Sequence, residues 1–144
     1  MIFAVALASP ALAETARQGA PTPVGLWRTY GDDGRTARGL VRITEQDGEL
    51  GGTLVGSLAP GEDPGKVCRR CPGNRKDQPL KGLVFMTGLR WQGSAYGGGE
   101  ILDPDSGALY KVTIRLEPGG RRLVVRAYRG ISLLGRSQTW ERVE

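Results

Sequence analysis

The 144-residue chain contains no histidine. That absence excludes a His general base, the Ser-His-Asp and Cys-His constellations, and every His-ligated zinc or haem. Cysteine is nearly as scarce, at two residues. A structural zinc needs four ligands from Cys and His, and they are not present. No apolar run reaches the roughly 20 residues that a spanning helix requires, so the chain is expected not to cross a membrane. No segment keeps a sustained helical period, which argues against a helical bundle or an α/β layer.

Glycine is abundant, at 23 residues, without a collagen period or a Gly/Ser linker. It gathers at turns such as Asp32-Asp33-Gly34, Asp47-Gly48, Gln92-Gly93, Asp103-Pro104-Asp105-Ser106-Gly107 and Pro118-Gly119-Gly120. Between the turns lie eight strand-length runs, at 25–30, 38–45, 49–58, 82–91, 95–102, 108–117, 121–129 and 137–143. In the sixth, Tyr110, Val112, Ile114 and Leu116 alternate with Lys111, Thr113, Arg115 and Glu117, a period of two with one wet face. In the third, Leu50, Gly52, Leu54, Gly56 and Leu58 share a face that alternates large residues with glycine, as in a tapering or strongly coiled strand. Successive strands with short turns pair antiparallel, and eight can close and so abolish the exposed edges. The fold class read here is all-β, an eight-stranded antiparallel up-and-down barrel over residues 24–144. An open sandwich is the alternative. Such a barrel holds packed side chains or one small ligand, and the pattern does not say which.

Residues 1–13, MIFAVALASPALA, end in an A-x-A cleavage pattern at Ala11-Leu12-Ala13. They read as a signal peptide without a basic n-region, and 14–23 as a flexible leader. The expected location is therefore the periplasm or the exterior, where disulfides persist.

One connection is long. Residues 59–81, between the third and fourth strands, are charged and rich in Pro and Gly, as functional or covering loops often are. They carry Cys68-Arg69-Arg70-Cys71. The neighbouring arginines would lower a thiol pKa, which keeps a redox reading open. The reading favoured by an exported chain is a short disulfide that stiffens the loop, worth about 2 kcal/mol. Glu62-Asp63 and Asp103/Asp105 are the carboxylate pairs available for acid/base work. Neither has the apolar setting that shifts a pKa, and the second pair is explained by its turn. The chain is expected not to be an enzyme, and to need no metal and no cofactor.

Gly25-Leu26-Trp27 opens the first strand and Trp140-Glu141-Arg142 ends the last. In a closed meander these strands are neighbours, so an Arg there can lie over an indole face. The pairing resembles the lipocalin and calycin signature, and gives Gly25, Trp27 and Arg142 a structural role in closing the barrel. A wider set of stretches resembles the bacterial family called domain of unknown function 2147. They are Val24–Trp27, Cys68–Cys71, Arg75–Gly82, Gly98–Pro104, Gly107-x-x-Tyr110-Lys111 and Tyr128–Trp140. The resemblance implies an exported, lipocalin-like barrel and no assigned activity.

The leading functional expectation is a non-catalytic periplasmic barrel that binds a small apolar or amphipathic molecule, with loop 59–81 as a lid. Candidate contacts are Trp91, Tyr110, Tyr128, Leu133, Leu134, Arg136 and Trp140. The alternative is an envelope protein-interaction module using the 59–81 loop and the 130–136 segment. The net charge is +5, with Arg 16 of the 20 basic residues. Arg121, Arg122, Arg126 and Arg129 surround Tyr128, a pattern that an exported location turns away from nucleic acid and towards a solvated exterior. A monomer is expected.

Overall fold

The computed structural model describes residues 20–59, 61–130 and 135–144. The signal segment 1–13, most of the leader, and Ile131, Leu133 and Leu134 lie outside them.

Eight strands form one closed antiparallel barrel in chain order. They are β1 (Gly25–Tyr30), β2 (Ala37–Gln46), β3 (Glu49–Ser57), β4 (Val84–Trp91), β5 (Tyr96–Leu102), β6 (Leu109–Leu116), β7 (Arg122–Tyr128) and β8 (Arg136–Arg142). Each pairs with the next, and β8 returns to β1. Closure rules out the open sandwich. Among the described residues helix is limited to one 3-10 turn at Gly73–Arg75.

Alternation decides the interior. On β6, Val112 and Ile114 are fully buried while Lys111 and Arg115 are exposed. On β3 the glycines make room for a neighbour's side chain, since a Cβ at Gly52 would lie 2.9 Å from Met86 Cε. Strand β4 departs from the period of two. Phe85 and Met86 are both buried, and Leu89 follows. Gly88, at φ 78°, takes a conformation that other residues avoid and shifts the register between them.

The barrel is filled at one end. Ile43, Leu50, Met86, Leu89, Ile114 and Leu123 pack there with no measurable exposure. Trp27 closes that end, and the guanidinium of Arg142 lies 4.4 Å from its ring centroid. Arg142 donates to the carbonyls of Gly120 (2.6 Å), Val24 (3.0 Å) and Thr22, while Trp27 Nε1 donates to Pro23 O (2.8 Å). One side chain thus ties together the start of the chain, the β6–β7 turn and β8. Gly25 has its own reason, because it holds φ 148° and a Cβ there would lie 2.6 Å from the Arg142 guanidinium. The leader boundary needs correcting. Thr22 and buried Pro23 belong to this base and are not part of a flexible leader.

Candidate functional site

Among the described residues the opposite end is open. The β1–β2, β3–β4, β5–β6 and β7–β8 connections surround a cavity of about 960 Å3 that runs into the barrel. That is near the upper end of the range for ligand sites, about 300–1,000 Å3. Its floor and lower wall are apolar: Val41, Leu54, Phe85, Leu102, Val125 and Trp140. Phe85 and Trp140 face each other with ring centroids 6.4 Å apart.

The cavity becomes polar towards the mouth, and the β6–β7–β8 register shows how. Leu123 pairs with Trp140, Val125 with Gln138, and Ala127 with Arg136. Trp140 is buried in the barrel, so strand alternation turns Gln138 and Arg136 to the same inner side. Tyr110 occupies the inner phase of β6, two residues before buried Val112. The Arg129 guanidinium sits 4.7 Å from the Tyr110 ring centroid. From floor to rim the inner face of β8 therefore reads Trp140, Gln138, Arg136, with Arg129 and Tyr110 alongside.

The wall is incomplete at the seam. Strand β1 pairs with β8 only at Trp27–Arg142 and Arg28–Glu141, with Leu26 bonding Val143 and Glu144 below. Above that point no ladder joins Thr29 and Tyr30 to Ser137–Thr139 among the described residues. A recess bordered by Tyr30, Asp32, Arg136 and Gln138 opens there.

Ala59, Glu62, Asp63, Lys66 and Lys81 of loop 59–81 border the cavity as one wall. The loop's Cys68–Arg70 stretch meets the β5–β6 hairpin, where Cys68 Sγ is 3.6 Å from Pro104 O and a Cβ at Gly107 would overlap the Arg70 carbonyl. Cys68 and Cys71 form a disulfide with Cα atoms 5.4 Å apart, and both are buried. Cys68 N donates to Gln78 O (2.8 Å) and Leu80 N to Lys66 O (3.0 Å), so the loop is hydrogen-bonded to itself. A hydrogen bond from Ser57 Oγ holds the Glu62 carboxyl below the usual range, and Lys66, 3.3 Å away, adds to this. Arg38 and Asp105 pair at 3.4 Å across two mouth elements. On the β1–β2 turn the Asp33 carboxyl is lowered to about 2, chiefly by the Thr36 hydroxyl and then by the backbone N–H groups of Thr36 and Arg35.

The candidate contacts divide by position. Tyr110, Tyr128, Arg136 and Trp140 border the cavity. Trp91 does not. It lies at the opposite end on the β4–β5 hairpin, exposed, with Tyr96 edge-on at 5.1 Å. Leu133 and Leu134 lie outside the described residues. Sequence reading missed Phe85, Leu54, Gln138 and Arg129 as cavity residues. Counting back in twos from Trp140 would have reached Gln138, but the β4 register shift that exposes Phe85 to the cavity leaves no such trace.

The model of a bacterial family of uncharacterised conserved proteins, domain of unknown function 2147, matches residues 25–142. The chain belongs to this family. Among solved structures, the chain is similar to protein HP1028 from Helicobacter pylori, described as belonging to the lipocalin family. The TM-score is 0.75 at 20% identity, covering 87% of this chain and 85% of that one. At that identity the likeness shows the fold, a lipocalin-like barrel. No curated protein matches the chain. Gly25, Trp27 and Arg142 all fall within the stretch that the family model matches.

Proposed function

We propose that this member of the family is a periplasmic, non-catalytic barrel that binds a small amphipathic molecule in the mouth cavity. The observation carrying the reading is the graded cavity of about 960 Å3, apolar at Phe85, Leu54 and Trp140 and polar at Arg136 and Gln138. A packed lumen would offer no such volume, and an entirely apolar one would not sort head from tail. The lipocalin-like fold is compatible with small-ligand binding. The reading takes the A-x-A pattern at residues 11–13 as the export signal.

The non-catalytic part rests on what the mouth acids do. Glu62 is pushed down in pKa, away from the raised values that suit a general acid, and Asp63 and Asp103 accept backbone N–H bonds of their own turns. The cysteines are tied up in a buried disulfide. The alternative of an envelope interaction surface draws less support. Cys68 of loop 59–81 is buried against the β5–β6 hairpin, and the Arg70 carbonyl lies against Gly107.

Native mass spectrometry of the protein purified from its own periplasm tests the reading. A releasable small molecule is the expected result. A consistently empty protein that also takes up no amphiphile from a mixed panel would overturn it.

A further inference from the structure

We infer that the cavity is built for a single-chain amphiphile with an anionic headgroup, read by Arg136 with Arg129 beside it. The inference rests on the ligand-binding reading above and names the chemistry of the ligand.

Two arginines on one side of a graded wall stand without an ion pair among the described residues. Five basic residues border the cavity: Arg38, Lys66, Lys81, Arg129 and Arg136. Arg38 is paired with Asp105 and Lys66 with Glu62. Among the described residues, Lys81, Arg129 and Arg136 have no ion pair. Of the bordering acids, Glu62 and Asp105 are taken up by those pairs, and Asp63 and Asp103 cap turns. Asp32 borders the seam recess with Arg136 and, like Asp63 and Asp103, has no ion pair among the described residues. Counted whole, the border balances at five cations and five carboxylates, so what stands out is local: on the β7–β8 side, Arg129 and Arg136 have no ion pair among the described residues.

Position makes those two arginines specific. Arg136 stands on the inner phase of β8, four residues above Trp140, so about 13 Å of strand separates headgroup level from the apolar floor. Arg136 borders the cavity, and its register partner across the ladder is the small Ala127. Arg129 is kept at the rim by the Tyr110 ring rather than by a carboxylate, so its N–H edge stays available. A planar guanidinium pairs with a carboxylate or a phosphate through two parallel hydrogen bonds, an arrangement that a neutral or cationic head cannot repeat. The alkyl chain then descends past Val125 onto Phe85 and Trp140.

The test is displacement of a fluorescent fatty-acid analogue by four probes sharing one chain: dodecanoate, dodecyl phosphate, dodecanol and dodecyltrimethylammonium. The two anions are expected to bind about tenfold more tightly than the alcohol, with the cation weakest. The tighter of the two anions identifies the headgroup. Arg136→Gln is expected to bring the anions down to the alcohol's affinity and leave the alcohol unchanged, which a merely misfolded variant would not do. Equal binding of anion and alcohol by the native protein, or an unaltered preference in Arg136→Gln, overturns the headgroup assignment while ligand binding stands. Binding of none of the four overturns both.

Discussion

Arg142 does more for this fold than any other charged side chain among the described residues. Its guanidinium covers Trp27 and donates to three carbonyls, on Thr22, Val24 and Gly120. Burial pushes its pKa down from the usual arginine value, yet the group stays charged at any physiological pH. Replacing it with Ala leaves those carbonyls without a donor and opens the Trp27 face. Arg142→Ala should cost about 3 kcal/mol, read as a lowered urea midpoint. Arg142→Lys should recover only part of it, because a compact ammonium has no planar face to lie on the indole and no spread fork to reach three separate carbonyls. Gly25→Ala should destabilise through the same knot, since the backbone there sits at φ 148°. That Trp27 and Arg142 are neighbours was legible in the sequence because they lie on the first and last strands, which closure brings together. Thr22 and Pro23 were read as leader because their contribution is a pair of backbone carbonyls, which any residue supplies.

At the scale of elements, the long β3–β4 connection behaves as a wall with two anchors. One is the buried Cys68–Cys71 disulfide against Pro104. Replacing both cysteines with Ser should cost about 2 kcal/mol by chain-entropy scaling for so short a ring. Faster amide exchange should be confined to loop 59–81 and the β5–β6 hairpin. A loss spread over the whole barrel would contradict that placement. The second anchor is the Ser57–Glu62–Lys66 set at the start of the loop. The Glu62 pKa is lowered on folding, so its contribution is present above the unfolded value and is lost as pH falls through the folded one. Ser57→Ala should move the Glu62 titration upward, measured by NMR, and let the loop loosen at higher pH than in the native protein. Strand positions were readable to within two residues because Gly- and Asp-bearing turns punctuate every strand. The bulge on β4 and the splayed β1–β8 seam were not readable, since both are set by neighbouring strands rather than by local pattern.

For the whole molecule, the strand count and alternation carried the barrel, and the family match is consistent with it. They did not carry the division of the lumen into a filled base and an open cup. Which inner side chains meet depends on register, and register shifts in β3–β4 and β5–β6 decide where glycines admit Met86 and Leu89. The three tryptophans report on that division from separate places: Trp27 in the base, Trp91 outside on the base hairpin, and Trp140 at the cavity floor. The most direct measurement is the set of indole N–H resonances during titration with dodecanoate. The account expects the Trp140 signal to shift while those of Trp27 and Trp91 hold still. An unmoved Trp140 under saturating binding, or a shift seen at Trp91 alone, would contradict a ligand site in the cup.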